Sequence, residues 1–411
     1  MTQTGLSRTS AFSVGLVLLV TLVWAGGCGD SNSSPASPTG GAPTLPNPGP
    51  TLPENVSPLP IADKSEEPVV SVAQYPDIAD MSQTNGQFTV VPDGGTDPRG
   101  VKILDHNGTV LLTRTPEDST RAIVKVLFYD NFVLLVENQA IDYDGGSGLE
   151  DSASRFYLAD LSTGAVTSVD PPEGFFWAWL PGLVNSAHGR TVALADRADD
   201  SEQCVFELEW AGSGFTTHQL QCIGHTFSQF SVLGAEGVTF SAWSQPAGPY
   251  HRSREVYYVP FDGSSIRTIT HVDGNIPFVG AVLDDWEVSV QLPDVEPTNF
   301  GEALVVALSP EGEAVHLGWG SANSLNLCDG YAYWWTDLPG PDVERLRSNG
   351  YEGPTLMRWK PGLQNVEVVT TTIPERAAGG TVCNNGYLNY GVISFDEGDV
   401  VADTFAVAPE N

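Results

Sequence analysis

The residues best suited to chemistry form one run, Asp142-Tyr143-Asp144-Gly145-Gly146-Ser147-Gly148-Leu149-Glu150-Asp151, in which alternating carboxylates precede glycines and two more carboxylates follow. Calcium takes six to eight oxygens from loops of this kind. Asp142, Asp144, Glu150 and Asp151 are therefore the candidate calcium ligands. A third alternating carboxylate and flanking helices are missing, so the run is not a helix–loop–helix calcium site, and a flexible polar loop is the competing reading. His225, His251 and His271 fall near the same end of their repeat units. Zinc would need three converging ligands with supporting partners, and scattered loop histidines explain them as well. Of five cysteines, Cys204, Cys222, Cys328 and Cys383 have no C-x-x-C spacing, which argues against a metal site. They read as disulfides or as buried thiols. Among Trp177, Trp179, Trp243, Trp334 and Trp335, which lie on strands or strand ends, Trp335 is best placed to stack on a sugar or peptide. No G-x-S-x-G elbow, phosphate-cradling loop or H-E-x-x-H is present. Paired carboxylates for glycoside chemistry would have to come from separate loops.

The elements that position these residues are strands. Apolar runs are short, rich in β-branched and aromatic residues, and no sustained helical period occurs. Phe227 to Gly274 reads as one complete unit: FSQFSVLGA, GVTFSAW, REVYYVPF and IRTITHV, with tight turns joining the first pair and the second pair. Two turn series repeat it. The first runs through Asn85-Gly86, Asp130-Asn131, His188-Gly189, Glu236-Gly237, Asp284-Asp285, Asp329-Gly330 and Asn385-Gly386, and most members carry the Asn, Asp and Gly that two-residue hairpins need. The second is marked by Gly108, Gly164, Gly214, Gly263, Gly312 and Gly362. Both recur with a period of about fifty residues. The seventh unit runs out of chain before its fourth strand, and the unassigned strand Pro68–Ala73 precedes the first unit, so that strand is expected to complete the last.

A four-stranded antiparallel unit with this period resembles a β-propeller blade. The resemblance implies an all-β fold of seven four-stranded blades over about residues 67–411, closed by the N-terminal strand so that no open edge remains. Neither the WD40 nor the kelch signature occurs. In this frame Cys204 and Cys222 sit opposite each other on the third and fourth strands of one blade. Cys328 and Cys383 hold the same position in adjacent blades, so a bond between them would staple the last blade to its neighbour. The short turns collect at one end. Connections from Asn138 to Ser154, Trp243 to Arg254, Pro293 to Glu302 and Trp335 to Pro354 collect at the other. Long loops on a rigid scaffold are where function concentrates, and this end is acidic.

The N-terminus reads as an address. Arg8 precedes the apolar run Ala11 to Trp24, and small residues Ala25, Gly26 and Gly27 lead to Cys28. The junction resembles the lipobox of bacterial lipoproteins, with Ala25 in place of the usual leucine. The resemblance implies a signal peptide over residues 1–27, lipidation of Cys28 and anchorage in the cell envelope, the outer membrane being preferred because Gly29 rather than an acidic residue follows Cys28. An ordinary signal peptide cut nearby is the alternative. Residues 28–66 are rich in Pro, Ser, Gly and Thr without periodicity and are expected to be a disordered tether.

The chain has 411 residues, with 51 acidic against 18 basic and a net charge of −33. Nucleic acid is excluded as a partner, because that binding needs clustered Lys and Arg. The expected partners are the membrane, through the lipid, and an envelope or extracellular protein or glycan. The expected function is a binding module working through the acidic loop face. The alternative is a carbohydrate-active enzyme, a glycoside hydrolase or lyase, with carboxylates from several blades.

Overall fold

A computed structural model describes residues 57–62, 69–76, 83–93, 99–139, 153–178, 185–187, 190–199, 202–223, 228–243, 254–293, 303–322, 324–336, 341–372, 376–396 and 399–409. Cys28 and the signal-like segment lie outside them. Among the described residues no helix is long and apolar enough to cross a membrane.

The chain forms seven antiparallel sheets, the blades of a β-propeller. Two strands precede the first blade, β1 (Ile61–Ala62) and β2 (Val69–Pro76). Blade one is β3 (Gln83–Thr84), β4 (Phe88–Asp93), β5 (Gly100–Asp105) and β6 (Val110–Arg114). Blade two is β7 (Arg121–Tyr129), β8 (Phe132–Gln139), β9 (Arg155–Asp160) and β10 (Val166–Val169). In blade three the first strand is in two pieces, β11 (Phe175–Trp177) and β12 (Asn185–Ala187), both paired to β13 (Arg190–Arg197), with β14 (Gln203–Trp210) and β15 (Phe215–Ile223) outside. Blade four is β16 (Ser228–Leu233), β17 (Gly237–Trp243), β18 (Arg254–Pro260) and β19 (Arg267–Thr268). Blade five is β20 (Asn275–Leu283), β21 (Trp286–Pro293), β22 (Ala303–Leu308) and β23 (Ala314–Gly320). Blade six is β24 (Asn326–Cys328), β25 (Tyr331–Thr336), β26 (Thr355–Trp359) and β27 (Val366–Thr371), and blade seven is β28 (Arg376–Asn384), β29 (Tyr387–Asp396) and β30 (Asp399–Val407).

The expected closure is present. β2 pairs antiparallel with β30 from Val69↔Val407 to Pro76↔Val401 and is the fourth strand of blade seven. The expected turns are also present. Asp130, Asp284, Asp285, Asp329 and Asn385 have φ between 44° and 63°, the left-handed region that Asp and Asn tolerate best among residues with a Cβ. Gly86, Gly330 and Gly386 also take positive φ in this series, whereas neither Glu236 nor Gly237 does, and Gly237 already opens β17. In the second series Gly108, Gly164, Gly263, Gly312 and Gly362 have positive φ, whereas in blade three it is Gly212 rather than Gly214. His188-Gly189 lies outside the described residues.

The apolar cores lie between blades, because each sheet must cover both faces. Ile103, Ile123, Val126 and Leu135 join blades one and two. Leu134, Phe156, Trp177 and Phe206 join two and three. Leu194, Val205, Leu233 and Phe240 join three and four. The largest cluster runs through blades five and six, with Val290, Val305, Trp334 and Trp359 among its members.

Two features depart from the sequence reading. First, part of the expected tether is structured. Ser57 to Ala62 lies on the propeller as a strap. Leu59 N–H donates to the His316 carbonyl of blade five at 2.9 Å, and Val366 N–H of blade six donates to the Pro60 carbonyl at 3.0 Å. β1 then pairs in parallel with β27 as a fifth strand, while Leu59 and Ile61 pack on the core of blades five and six. Second, the connection from β25 to β26 contains a helix, α1 (Pro341–Ser348). Arg345 on it donates to the Leu59 carbonyl at 2.9 Å and so fixes the strap.

Candidate functional site

Both cysteine pairs are joined. Cys204 lies directly opposite Cys222 in the β14–β15 register, and their bond closes that hairpin. Cys328 at the end of β24 bonds Cys383 near the end of β28, across blades six and seven. Glu202 lies close to the first pair, but disulfide sulfurs offer no thiolate to a metal. Two intramolecular disulfides point to an oxidising, exported location.

The loop-bearing end of blade two carries a buried polar network. The connection from β8 to β9 carries Asp142, Asp144, Glu150 and Asp151, and these four lie outside the described residues. Its two roots are described, and they are locked. Arg121, at the start of β7, is 2% exposed. Its Nε donates to Glu137 Oε1 at 2.8 Å, and one terminal nitrogen donates to the carbonyls of Glu137 at 3.0 Å and Ala153 at 2.6 Å. One guanidinium thus holds both the end of β8 and the residue before Ser154. Ser154 completes the root. Its N–H donates to the Trp177 carbonyl at 3.0 Å and its hydroxyl to Asn138 Oδ1 at 2.6 Å. Arg155 adds a second cation 3.6 Å from Glu137 Oε1.

Burial draws the Arg121 pKa below its ordinary value and the nearby Arg155 adds to that, while Glu137 opposes both. The guanidinium still carries its charge at neutral pH, since its ordinary value is far above it. A paired ion of this kind, with one terminal nitrogen also bonded to two carbonyls, is rigid, and removing one partner would leave an uncompensated buried charge. The sequence reading did not single out Arg121 or Glu137. Their signal is a charged residue at the loop end of each of two adjacent, otherwise mostly apolar strands, RAIVKVLFY and FVLLVENQ.

The other sequence candidates divide. Trp335, expected to offer a stacking face, does not: it is 1% exposed and packs edge-on to Tyr390 with ring centroids 5.7 Å apart. All six residues of β25 are buried, because neighbouring blades cover both of its faces. Trp177 and Trp334 are likewise buried. His225 and His251 lie outside the described residues, so the three histidines are not brought together among those described. His271 is partly exposed.

The ring axis has its own character. The first strands of the blades, β3, β7, β11, β12, β16, β20, β24 and β28, carry Arg121, Lys125 and Arg376 and not one Asp or Glu. In a chain with 51 acidic residues against 18 basic, the charge is strongly segregated. The axis is also narrow. Cα atoms of β12 and β28, from blades three and seven, approach within 8 Å, as do those of β16 and β24 from blades four and six.

No protein-family model and no curated protein matches the chain. Solved structures match in fold. The Pyrococcus horikoshii acylaminoacyl peptidase in its orthorhombic crystal form is 11% identical, with 70% of this chain and 46% of that chain covered and a TM-score of 0.47. YCF48 bound to D1 peptide is 12% identical, with 86% and 100% covered and a TM-score of 0.46. Trypanosoma rangeli sialidase in complex with sialic acid is 9% identical, with 84% and 59% covered and a TM-score of 0.37. The chain spans less than half the length of the peptidases it matches. At these identities the likeness is one of fold alone.

Proposed function

We propose that the chain is a lipid-anchored binding module of a bacterial cell envelope or cell surface, held to the membrane through Cys28 and a tether, and engaging an envelope or extracellular protein or glycan through the acidic loop face of its propeller. The observation that carries this reading is the Arg121–Glu137 clamp. It sets both roots of the acidic β8–β9 connection on a rigid blade, which lowers the ordering cost of presenting that connection to a partner. The first strands supply no carboxylate to the axis, so glycoside hydrolysis, which uses a carboxylate pair, would have to draw its groups from the loops.

The test is affinity capture from an envelope fraction by the full chain and by a variant carrying Asp142→Asn, Asp144→Asn, Glu150→Gln and Asp151→Asn. The expected result is a protein or glycan retained by the native chain and lost by the variant. Loss of the same partner on calcium chelation would assign a calcium ion to those four carboxylates. Equal retention by both forms would remove this loop from the binding face. Turnover of a glycan by the native chain, abolished in the variant, would overturn the reading in favour of an enzyme.

A further inference from the structure

The seam between blades one and two ends, on its loop-bearing side, in arginines. Residues directly opposite on paired strands share a face of the sheet. Arg114, at the end of β6, opposes Val101, and Val101 belongs to the core of this seam. Arg114 therefore faces blade two. On blade two, Ile123 opposes Glu137, Glu137 opposes Arg155, and Leu135 opposes Tyr157. Ile123, Leu135 and Tyr157 belong to the same core, so Glu137 and Arg155 face blade one. The two faces meet there: the central guanidinium carbon of Arg114 lies 5.4 Å from the centre of the Tyr157 ring. Arg121 stands two residues before Ile123 on the same face and is bonded to Glu137.

Acceptors are short at this seam. Glu137 is bonded to Arg121. It stands 3.6 Å from Arg155, too far for a hydrogen bond, and Arg155 makes no hydrogen bond among the described residues. The Arg155 side chain is 51% exposed, so its donors face water. Arg114 has neither a hydrogen bond nor an ion pair among the described residues, and its Nε is enclosed without an acceptor. The connection from β6 to β7 offers little more. Asp118 accepts from the N–H and hydroxyl of Thr120, and Glu117 is exposed. Like charges held on facing surfaces repel, and that repulsion is relieved by an anion placed between them. Packing over Tyr157 holds Arg114 in position beforehand, which lowers the cost of ordering it around a ligand.

We propose that Arg114 and Arg155 form a binding site for one oxyanion, a carboxylate or phosphate group of a ligand that docks at the loop-bearing end of the seam between blades one and two. A guanidinium presents paired donors in one plane to such a group. Arg121 engages Glu137, which keeps that carboxylate from serving as the anion. The site lies beside the acidic β8–β9 connection and holds whether or not that connection binds a partner.

The experiment is calorimetric titration of the full chain with acetate and with inorganic phosphate at low ionic strength. Arg114→Gln, Arg155→Gln and the variant with all four loop carboxylates replaced are titrated alongside. The expected result is saturable binding by the native chain, weakened ~10-fold or more by either arginine substitution, since each removes a charge-assisted hydrogen bond. Replacing the loop carboxylates should leave the binding in place. Acetate bound in preference identifies a carboxylate-bearing ligand and phosphate bound in preference a phosphorylated one. Unfolding midpoints show whether the glutamine variants remain folded. Arg155→Lys keeps the charge without the paired donors and should bind with intermediate strength, which tests the site if Arg155→Gln does not fold. Binding of native strength in folded Arg114→Gln and Arg155→Gln, or no saturable binding of either anion, would overturn the proposal. So would binding that emerges only once the loop carboxylates are replaced, because the chain's own loop would then be the occupant. The probes are free anions, so these outcomes are read independently of whether an envelope partner is captured.

Discussion

Two seams of the ring are built in opposite ways. Between blades six and seven the contact is apolar. Tyr333, Trp335, Leu356 and Val369 meet Leu388, Tyr390, Val392 and Val407 in one buried cluster, and the Cys328–Cys383 bond crosses the same seam. Between blades seven and one, where the two ends of the domain meet, the hydrogen-bonded contacts stand out. Asn389 accepts from Thr84 N–H at 2.7 Å and donates to the Thr84 carbonyl at 2.9 Å, while Asn384 donates to Gln83 Oε1 at 2.5 Å. Gly86 sits so close to Tyr387 that an added Cβ would collide with its ring and hydroxyl oxygen. The difference follows from what each seam must specify. Apolar packing is strong but non-directional. Hydrogen bonds to a backbone amide have one correct register, and a two-residue strand such as β3 has little else to set its register.

Breaking the covalent part of the apolar seam should have the largest effect. Cys328 and Cys383 are 55 residues apart, and loop-closure entropy gives their bond about 4 kcal/mol. Cys204 and Cys222, 18 residues apart on a single hairpin, give about 3 kcal/mol by the same reasoning. The double variant Cys328→Ser with Cys383→Ser should therefore unfold at a lower urea concentration than Cys204→Ser with Cys222→Ser. The reverse order would show that the apolar cluster holds blades six and seven together without help.

The polar seam should respond next, through a single side chain. Leucine in place of Asn389 removes both partners of Thr84, leaving its N–H and carbonyl unpaired in a position where Asn389 is 3% exposed. Each unpaired buried group costs about 1–3 kcal/mol, so Asn389→Leu should lose about 3 kcal/mol. Hydrogen exchange should localise the damage, with the Thr84 amide accelerated far more than amides at the apolar seam. A uniform acceleration would mean that the ring opens elsewhere first.

The polar seam was not legible in the sequence, although the blades it joins were. Turns were legible because a two-residue hairpin demands positive φ, and Asp130, Asp329 and Asn385 are residue types that supply it. The closing strand was legible as the one apolar run left over, and the disulfides because Cys204 and Cys222 fall opposite each other on one hairpin while Cys328 and Cys383 hold equivalent positions in adjacent blades. Asn389 and Thr84 have no such signature, since their partnership exists only once the ring is closed. The strap at Ser57–Ala62 was missed because two paired residues have no periodicity and sit among prolines. Helix α1 was missed because Leu346 alone among its described side chains is buried. Trp335 was misjudged because its place at a strand end pointed to exposure, while the blades on either side bury it. At the proposed site the picture is similar. The acidic run is plain in the sequence, but the Arg121 clamp beneath it depends on register, which composition does not encode.

The smallest expected effect separates a specific polar seam from an incidental one. Gln83 and Asn384 are 3% and 2% exposed, and their side-chain bond is enclosed. Asn384→Leu alone strips Gln83 Oε1 of its donor and should cost about 1–2 kcal/mol. Gln83→Leu alone should cost a similar amount from the other side. With both replaced, no polar atom of the pair remains to be satisfied, and the loss should be smaller than the sum of the single losses by about 1 kcal/mol. A double-mutant cycle in urea unfolding measures that coupling. Strict additivity would show that the two amides are each satisfied by something else, and the polar seam would then owe its register to Asn389 alone. Coupling of the expected size would make closure a property of both hydrogen-bonded positions, one fixing the backbone of β3 and the other fixing its first side chain.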